Sequence, residues 1–380
     1  EAESLVEAGF GAEFYGRTGC PVHQMYLPAK ILWLKRNAPG IFESASRFVG
    51  IKDYFAYRLS GEWLVDVSVA SASGLLNLNT RDWDDRVLNV VGIDRDRLGI
   101  VAPVRTALRL RADAAASMGL DPSTPVIIGG GDGALSSIGC GAVDPGVVAA
   151  MIGTSGAMRA IVGTPAVDPQ SRTWCYAFDD GAWVAGGAIN NGGIVYRWFR
   201  DQFAAEEKGV AAARGVDVYE IINEWVEGIP PGADGLLFLP YLTGERCPYW
   251  NANARGVLFG LSLGHTRRHI ARAAMEGVCF RMAQVLRAIE DVAGPAHEGS
   301  ALGAAILAMD ATLGGGYTGR SHRLSPVTAR YSPIEGNHRR YADLMGIYLG
   351  LYRNVAAQFD ELAAFRRAPE SPCSDARHDM

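Results

Sequence analysis

The stretch that most constrains this chain runs from Pro125 to Val162, PVIIGGGDGALSSIGCGAVDPGVVAAMIGTSGAMRAIV. Val126-Ile127-Ile128 is a β-branched run that stops at three glycines, so it reads as a buried strand ending in a loop. Asp132 follows at once, on backbone that lacks Cβ and lets a ligand come close. A second strand-like segment, Val147 to Ile152, ends in Gly153-Thr154-Ser155-Gly156 before a third apolar run. That order predicts strand, tight turn and strand, whose N–H groups and hydroxyls can form an anion-binding concavity. A carboxylate and a phosphate cradle then belong to one short unit.

Two familiar nucleotide motifs compete with this reading. Gly129-x-Gly131-x-x-Ala134 meets a loose dinucleotide fingerprint, but the next strand ends Ala149-Ala150-Met151-Ile152, without the acid that would hold ribose hydroxyls. A Walker loop is excluded because none of the lysines, Lys30, Lys35, Lys52 and Lys208, follows a glycine.

At 380 residues and 48% hydrophobic content the chain has material for two or three globular domains. Its net charge of -5 is not gathered into a block, which argues for a small polar ligand and against a nucleic-acid or membrane surface. The cysteines (Cys20, Cys140, Cys175, Cys247, Cys279, Cys373) are widely spaced, with no Cys-x-x-Cys pair and no His at ligand spacing. They read as reduced and structural, with no metal site among them. No apolar run approaches the ~18 residues needed to span a bilayer. EAESLVEAGF lacks the regions of a signal peptide, so cytoplasm is the expected location.

Taken in order, residues 1 to about 17 have the composition of one helix, broken by Thr18-Gly19-Cys20-Pro21. His23, Met25 and Tyr26 stand on a loop before a helix with Ile31, Leu32 and Trp33 on its apolar face, ended by Asn37, Pro39 and Gly40. Ile41 to Leu59 carries another helical pattern, and the small residues from Asp66 to Ser73 predict a close contact between elements. The polar joint Asp121-Pro122-Ser123-Thr124 is the expected domain boundary. Later, Asn191 is a candidate N-cap for a helix with Ile194, Trp198 and Phe199, whose N-terminus can meet a second phosphate. Arg246 beside Glu245 reads as a loop staple. A long helix is expected from Thr266 to Leu286, a small-residue helix over residues 301–305 capped by Glu298-Gly299-Ser300, and a loose tail from Ala368.

Several separated blocks, in order, resemble the FGGY family of carbohydrate kinases from about Tyr15 to Arg366. They are TGCPVHQMYLPAKILWL, IKDYFAYRLSGEW with DVSVASASGL, GGGDGALSSIGCG, MIGTSGAMR, FLPYLTGERCPYWNANARGVLFGL and EGSALGAAILA. The gluconokinase branch is the most similar, through Thr18-Gly19-x-Pro21-x-His23-x-Met25 and Ile51-Lys52-Asp53-Tyr54. The resemblance implies an α/β, actin-like (ribonuclease H-like) ATPase fold of two domains with a cleft between them. It divides the chain into 1–122, an incomplete N-terminal sugar-binding domain, 123–367, the C-terminal nucleotide-binding domain, and the tail 368–380. It implies phosphoryl transfer from ATP, with Mg²⁺, to a sugar or sugar acid, D-gluconate giving 6-phosphogluconate, with Asp132 as general base. The nucleotide side transfers to Gly153, Thr154, Gly193 and Arg197, and the substrate side to His23, Tyr26, Asp132 and Gly133. Kinases of this kind are often homodimers.

The departures are equally specific. The acidic phosphate hairpin that opens the family, of the Asp-x-Gly-Thr-Thr/Ser type, has no match in this chain, and the adenosine Gly-Gly motif is missing between Gly294-Pro295 and His297. Leu27 stands where the family prefers a small residue or proline. Both gaps lie on the nucleotide side, so weak turnover is expected, since electrostatic stabilisation carries most of the barrier reduction at ~3 kcal/mol per donor. The alternatives are a catalytically impaired sugar-binding or regulatory protein, a pentulose kinase of the xylulokinase type, or an incomplete gene reading of an ordinary enzyme.

Overall fold

The computed structural model describes residues 1–295, 297–299 and 331–367. Its first residues form two helices rather than the expected one, Ala2–Glu7 and Phe10–Thr18, because the chain turns into left-handed backbone at Gly9 (φ +86°). The Leu27–Asn37 helix buries Ile31 but leaves Trp33 53% exposed. Successive helical residues lie about 100° apart, so three in a row cannot share one face. Ile41 to Leu59 is likewise split into the helices Pro39–Ser44 and Ile51–Ser60.

The strand Leu64–Asp66 pairs in parallel with Ile100–Ala102 and runs straight into the helix Val67–Ala72. Asp66 makes the change of direction, its carboxylate accepting the N–H groups of Ser68 at 3.1 Å and Val69 at 3.0 Å as an N-cap. The small residues of that helix do make the expected close contact. Ala177 N–H, on the strand Trp174–Asp179, donates to Ser71 Oγ at 2.9 Å.

The main sheet has five strands in the order His297–Gly299, Val147–Ile152, Gly156–Val162, Ala182–Ile189, Trp174–Asp179. The first two are parallel, and the last two form an antiparallel pair with a bulge between Ala182 and Trp183. The Val147 and Gly156 strands are sheet neighbours joined by the Gly153–Ser155 turn, as expected. Val126–Ile127 pairs antiparallel with Ala107–Leu108 and leads to the helix Asp132–Gly139.

Packing divides the chain into two units. The first takes in Glu1–Ile152, Ala157–Ala188 and, from Met282, the end of the Arg267–Ala293 helix and the strand His297–Gly299, and the second takes in Gly153–Gly156, Ile189–Arg281 and the helix Glu335–Arg367. The Asp121–Thr124 joint falls inside the first unit, because the strand after it pairs with Ala107–Leu108 and Gly131 N–H donates to Ser68 Oγ at 2.9 Å. In the second unit the helices Gly193–Phe203, Ala205–Arg214 and Val218–Glu227 enclose Phe199, Ile222 and Trp225. The expected long helix spans Arg267–Ala293.

All five described cysteines are free thiols. Among the described residues no helix is long and apolar enough to cross a membrane. The expected helix over 301–305 and the tail from Ala368 lie outside the described residues.

Candidate active site

The first unit contains a cavity of about 380 Å³, within the size range of small-molecule sites. Its wall includes Met25, Leu27, Ser68, Asp132, Gly133, Arg159, Trp174 and Tyr176. Asp132 reaches it from the first turn of the Asp132–Gly139 helix, is solvent-exposed, and accepts Gly133 N–H on Oδ1 at 2.7 Å.

The loop before Asp132 is held at two points. Gly131 N–H donates to Ser68 Oγ, and the Gly130 carbonyl accepts from Lys52 Nζ at 3.1 Å. Lys52 Nζ also lies 2.5 Å from Asp66 Oδ2. Asp66 is fully buried, and burial pushes its carboxyl above the ordinary value while Lys52 pulls it back. One lysine thus ties a buried carboxylate, a helix cap and the Asp132 loop together. Lys52 and Ser68 escaped the sequence reading as site residues, although both lie in blocks that carry the resemblance. The signal was the lysine itself, one of so few in the chain, followed by an Asp-x-Ser at a strand end.

The other expected substrate residues stand further back. Tyr26 is buried, with its hydroxyl 2.8 Å from that of Tyr176, and Tyr176, stacked on Trp174 at 4.3 Å, forms the wall. Burial first, then the neighbouring Tyr176, pushes the Tyr26 phenol well above its usual range. His23 is not in the cavity wall; its Nδ1 accepts Met25 N–H at 3.2 Å and so shapes the loop that presents Met25.

In the second unit the turn and the start of the Gly193–Phe203 helix are brought together. Gly193 N–H donates to the Gly153 carbonyl at 2.7 Å, while Gly192 and Ile194 N–H donate to the Thr154 carbonyl at 3.2 and 3.1 Å. A Cβ on Gly193 would lie 2.6 Å from the Gly153 oxygen, so only glycine permits this approach. The first N–H groups of that helix are therefore spent on the turn rather than left for a second phosphate. What faces solvent is the turn itself and the Arg197 guanidinium, which donates to Thr154 Oγ1 at 3.3 Å. A cation beside a hydroxyl on a tight turn is an anion-binding arrangement.

Two further expectations are corrected by geometry. Asn191 is not an N-cap; it is buried and binds the 243–244 loop, donating to the Gly244 carbonyl at 2.7 Å and accepting Thr243 N–H at 3.1 Å. The staple of Glu245 is Arg281 rather than Arg246. Arg281 is fully buried on the long helix, with Nε 3.2 Å from Glu245 Oε2, while Arg246 reaches the Ile189 carbonyl at 3.4 Å. Adjacency in sequence does not bring two side chains on a loop face to face.

Among the described residues no group of three His, Cys, Asp or Glu side chains can cage a metal ion.

Comparison with known proteins matches residues 1–139 to the N-terminal domain and residues 148–294 to the C-terminal domain of the FGGY family of carbohydrate kinases. A gluconokinase from Bacillus subtilis (strain 168) is 38% identical, covering 96% of this chain and 78% of the relative. That alignment runs over 403 positions, so the relative carries residues within the matched region that have no counterpart here. Two solved structures from Lactobacillus acidophilus, a gluconate kinase and a ligand-bound xylulose kinase, each superpose with a TM-score of 0.87 at 30% identity. Each covers 95% of this chain and 78% of its own.

Proposed function

The chain belongs to the FGGY family of carbohydrate kinases, phosphotransferases with a two-domain actin-like (ribonuclease H-like) fold, and on that premise we propose that it phosphorylates D-gluconate to 6-phosphogluconate with ATP. The observation that carries the reading is Asp132 in the wall of a sugar-sized cavity, in a chain more than a third identical to a gluconokinase. Asp132 accepts the proton of the sugar hydroxyl as that oxygen attacks the γ-phosphorus in line. The new O–P bond forms as the bond to the β-phosphate bridging oxygen breaks, and ADP leaves with the electron pair. Trp174 and Tyr176 offer a flat wall for the sugar chain, and Ser68 holds the Asp132 loop still.

On the nucleotide side, Gly153 and Thr154 supply the turn, Gly193 the close approach that fixes it, and Arg197 the positive charge for phosphate oxygens. Magnesium, when bound with the nucleotide, supplies charge neutralisation on the phosphates. The adenosine side is assigned to no residue here. A pentulose kinase is the second reading, favoured by the xylulose kinase structure that superposes equally well.

The test is ADP release from Mg-ATP with D-gluconate, D-xylulose and glycerol in parallel, with Asp132→Asn as control. Gluconate-dependent turnover that falls about a hundredfold to ten-thousandfold in Asp132→Asn is expected, the worth of general-base catalysis. Turnover with D-xylulose alone would replace the substrate, and equal rates in both proteins would remove Asp132 as the base.

A further inference from the structure

We propose that Asn191 is a positioning residue for the phosphate turn, fixing the segment whose N–H groups hold Gly153 and Thr154 in place. The inference rests on the kinase reading above and deepens it on the nucleotide side.

The turn is gripped by Gly192, Gly193 and Ile194, whose N–H groups donate to the Gly153 and Thr154 carbonyls at 2.7 to 3.2 Å. Two of these three residues are glycines that cannot carry a side chain here. A Cβ would lie 2.5 Å from the Ser155 backbone at Gly192 and 2.6 Å from the Gly153 oxygen at Gly193. Glycine permits the approach, and glycine is also the residue with the most backbone freedom to lose. Gly192, with φ −92° and ψ −122°, lies outside helical backbone, so the helix that follows does not set its direction. These donors stay aimed only if the chain entering them is held.

The two residues just before them supply that hold. Asn191 is fully buried and its amide is matched at both ends. Nδ2 donates to the Gly244 carbonyl at 2.7 Å, and Oδ1 accepts Thr243 N–H at 3.1 Å and the Thr243 hydroxyl at 3.0 Å. Only a side chain that both donates and accepts can make this set. Asn190 N–H donates to Glu245 Oε1 at 2.9 Å. The 243–247 loop is anchored in turn, since Glu245 Oε2 lies 3.2 Å from Nε of Arg281 on the long helix, and Arg281 Nη2 donates to the Cys247 carbonyl at 2.6 Å. Hydrogen bonds therefore run from the long helix through Glu245 and its loop to Asn190 and Asn191, and from Gly192–Ile194 to the turn. Displacing such a turn by about an ångström misplaces the phosphate it holds. The competing role for Asn191 is stability alone, in which case a folded variant handles ATP as wild type does.

Initial rates against ATP and against gluconate separate these, in wild type, Asn191→Ala and Thr243→Val, each well below its thermal midpoint. Asn191→Ala removes all three side-chain bonds, and Thr243→Val removes the hydroxyl bond alone. The KM for ATP should rise about tenfold in Asn191→Ala, the worth of one charge-assisted bond lost as the turn shifts, and about twofold in Thr243→Val. The KM for gluconate should stay within about twofold of wild type in both. Hydrogen exchange read by mass spectrometry is the second measure. Peptides over 152–156 and 190–195 should exchange faster in Asn191→Ala, while the Val218–Glu227 helix of the same unit keeps its wild-type rate. Acceleration of all these segments alike, or of none, overturns the inference, as does an equal rise in both KM values. Faster local exchange with an unchanged KM for ATP overturns the phosphate reading of the turn and the inference with it. Should wild type turn over no sugar, the kinase reading fails by itself, and calorimetric affinity for Mg-ATP takes the place of KM. Weakening by about tenfold in Asn191→Ala then supports the positioning role, and unchanged affinity, or no binding by wild type, overturns it. If Asn191→Ala does not fold, both measures are read from Thr243→Val.

Discussion

The ammonium of Lys52 lies 2.5 Å from the buried carboxylate of Asp66 and 3.1 Å from the carbonyl of Gly130, two residues ahead of Asp132. This lysine therefore neutralises a charge the fold has buried and at the same time fixes the loop that carries the candidate base. Lys52→Met would leave Asp66 buried without its cation, at a cost of about 3 kcal/mol, the low end for breaking a buried pair. The low end applies because the Lys52 side chain keeps 30% exposure.

Stability and activity should separate in the double variant. Replacing Asp66 by Asn together with Lys52→Met removes the stranded charge while keeping an N-cap, so urea unfolding should return most of the lost stability. Gluconate turnover should stay depressed by about tenfold to a hundredfold, since a loop displaced by an ångström misplaces the base. Recovery of both together would make Lys52 a stability element alone.

Gly193 and Arg197 act on the same turn by different means, and this gives the next prediction. Gly193→Ala places a methyl group 2.6 Å from the Gly153 oxygen, so the turn must shift, at about 1–3 kcal/mol for an overpacked contact. Arg197→Ala touches no packing, since Arg197 is exposed, and removes only its charge and its bond to Thr154 Oγ1. Both should raise the KM for ATP, about tenfold for the loss of one charge-assisted bond. Only Gly193→Ala should also lower the thermal midpoint. An unchanged KM for ATP in Arg197→Ala would take the phosphate role away from Arg197.

The sequence made the local parts of this site legible and left the long-range parts hidden. The Asp132 loop, the Gly153–Ser155 turn and the long helix after Thr266 are set by residues within a few positions of one another, and glycine runs and apolar periodicity report them directly. The Arg281 partner of Glu245 is 36 residues away, and Ser68 meets Gly131 across 63, so no spacing rule reaches them. Arg159 was in plain view in MIGTSGAMR, yet only the placement of its strand beside Gly133 gives it a cavity to face. Helix breaks at Gly9 and between Ser44 and Ile51 were missed because composition without a periodicity count overlooks single turns.

Asp168 supplies a pH prediction whose sign can be worked out. Its carboxylate is buried and accepts Arg172 Nε at 2.8 Å, Arg172 N–H at 2.8 Å and Gln170 N–H at 3.2 Å, and Arg172 is held in turn by Asp291 at 2.9 Å. Burial pushes the Asp168 carboxyl up, but these bonds outweigh it and hold it below the ordinary aspartate value. A group whose pKa is lower in the folded than in the unfolded chain contributes stability above the unfolded value of about 3.9. That contribution is lost as the pH falls through the folded value. Wild type should therefore lose stability as the pH is lowered from about 4. Asp168→Asn should be less stable at pH 7 by about 2 kcal/mol, the worth of hydrogen bonds to a charged group. It should also lose less on acidification, because the amide does not titrate, although Asp84, also depressed through Arg17, keeps some of the slope. Urea midpoints of both proteins between neutral pH and the acid edge decide the matter, and parallel curves would mean that Asp168 is no more strongly held in the fold than in the unfolded chain.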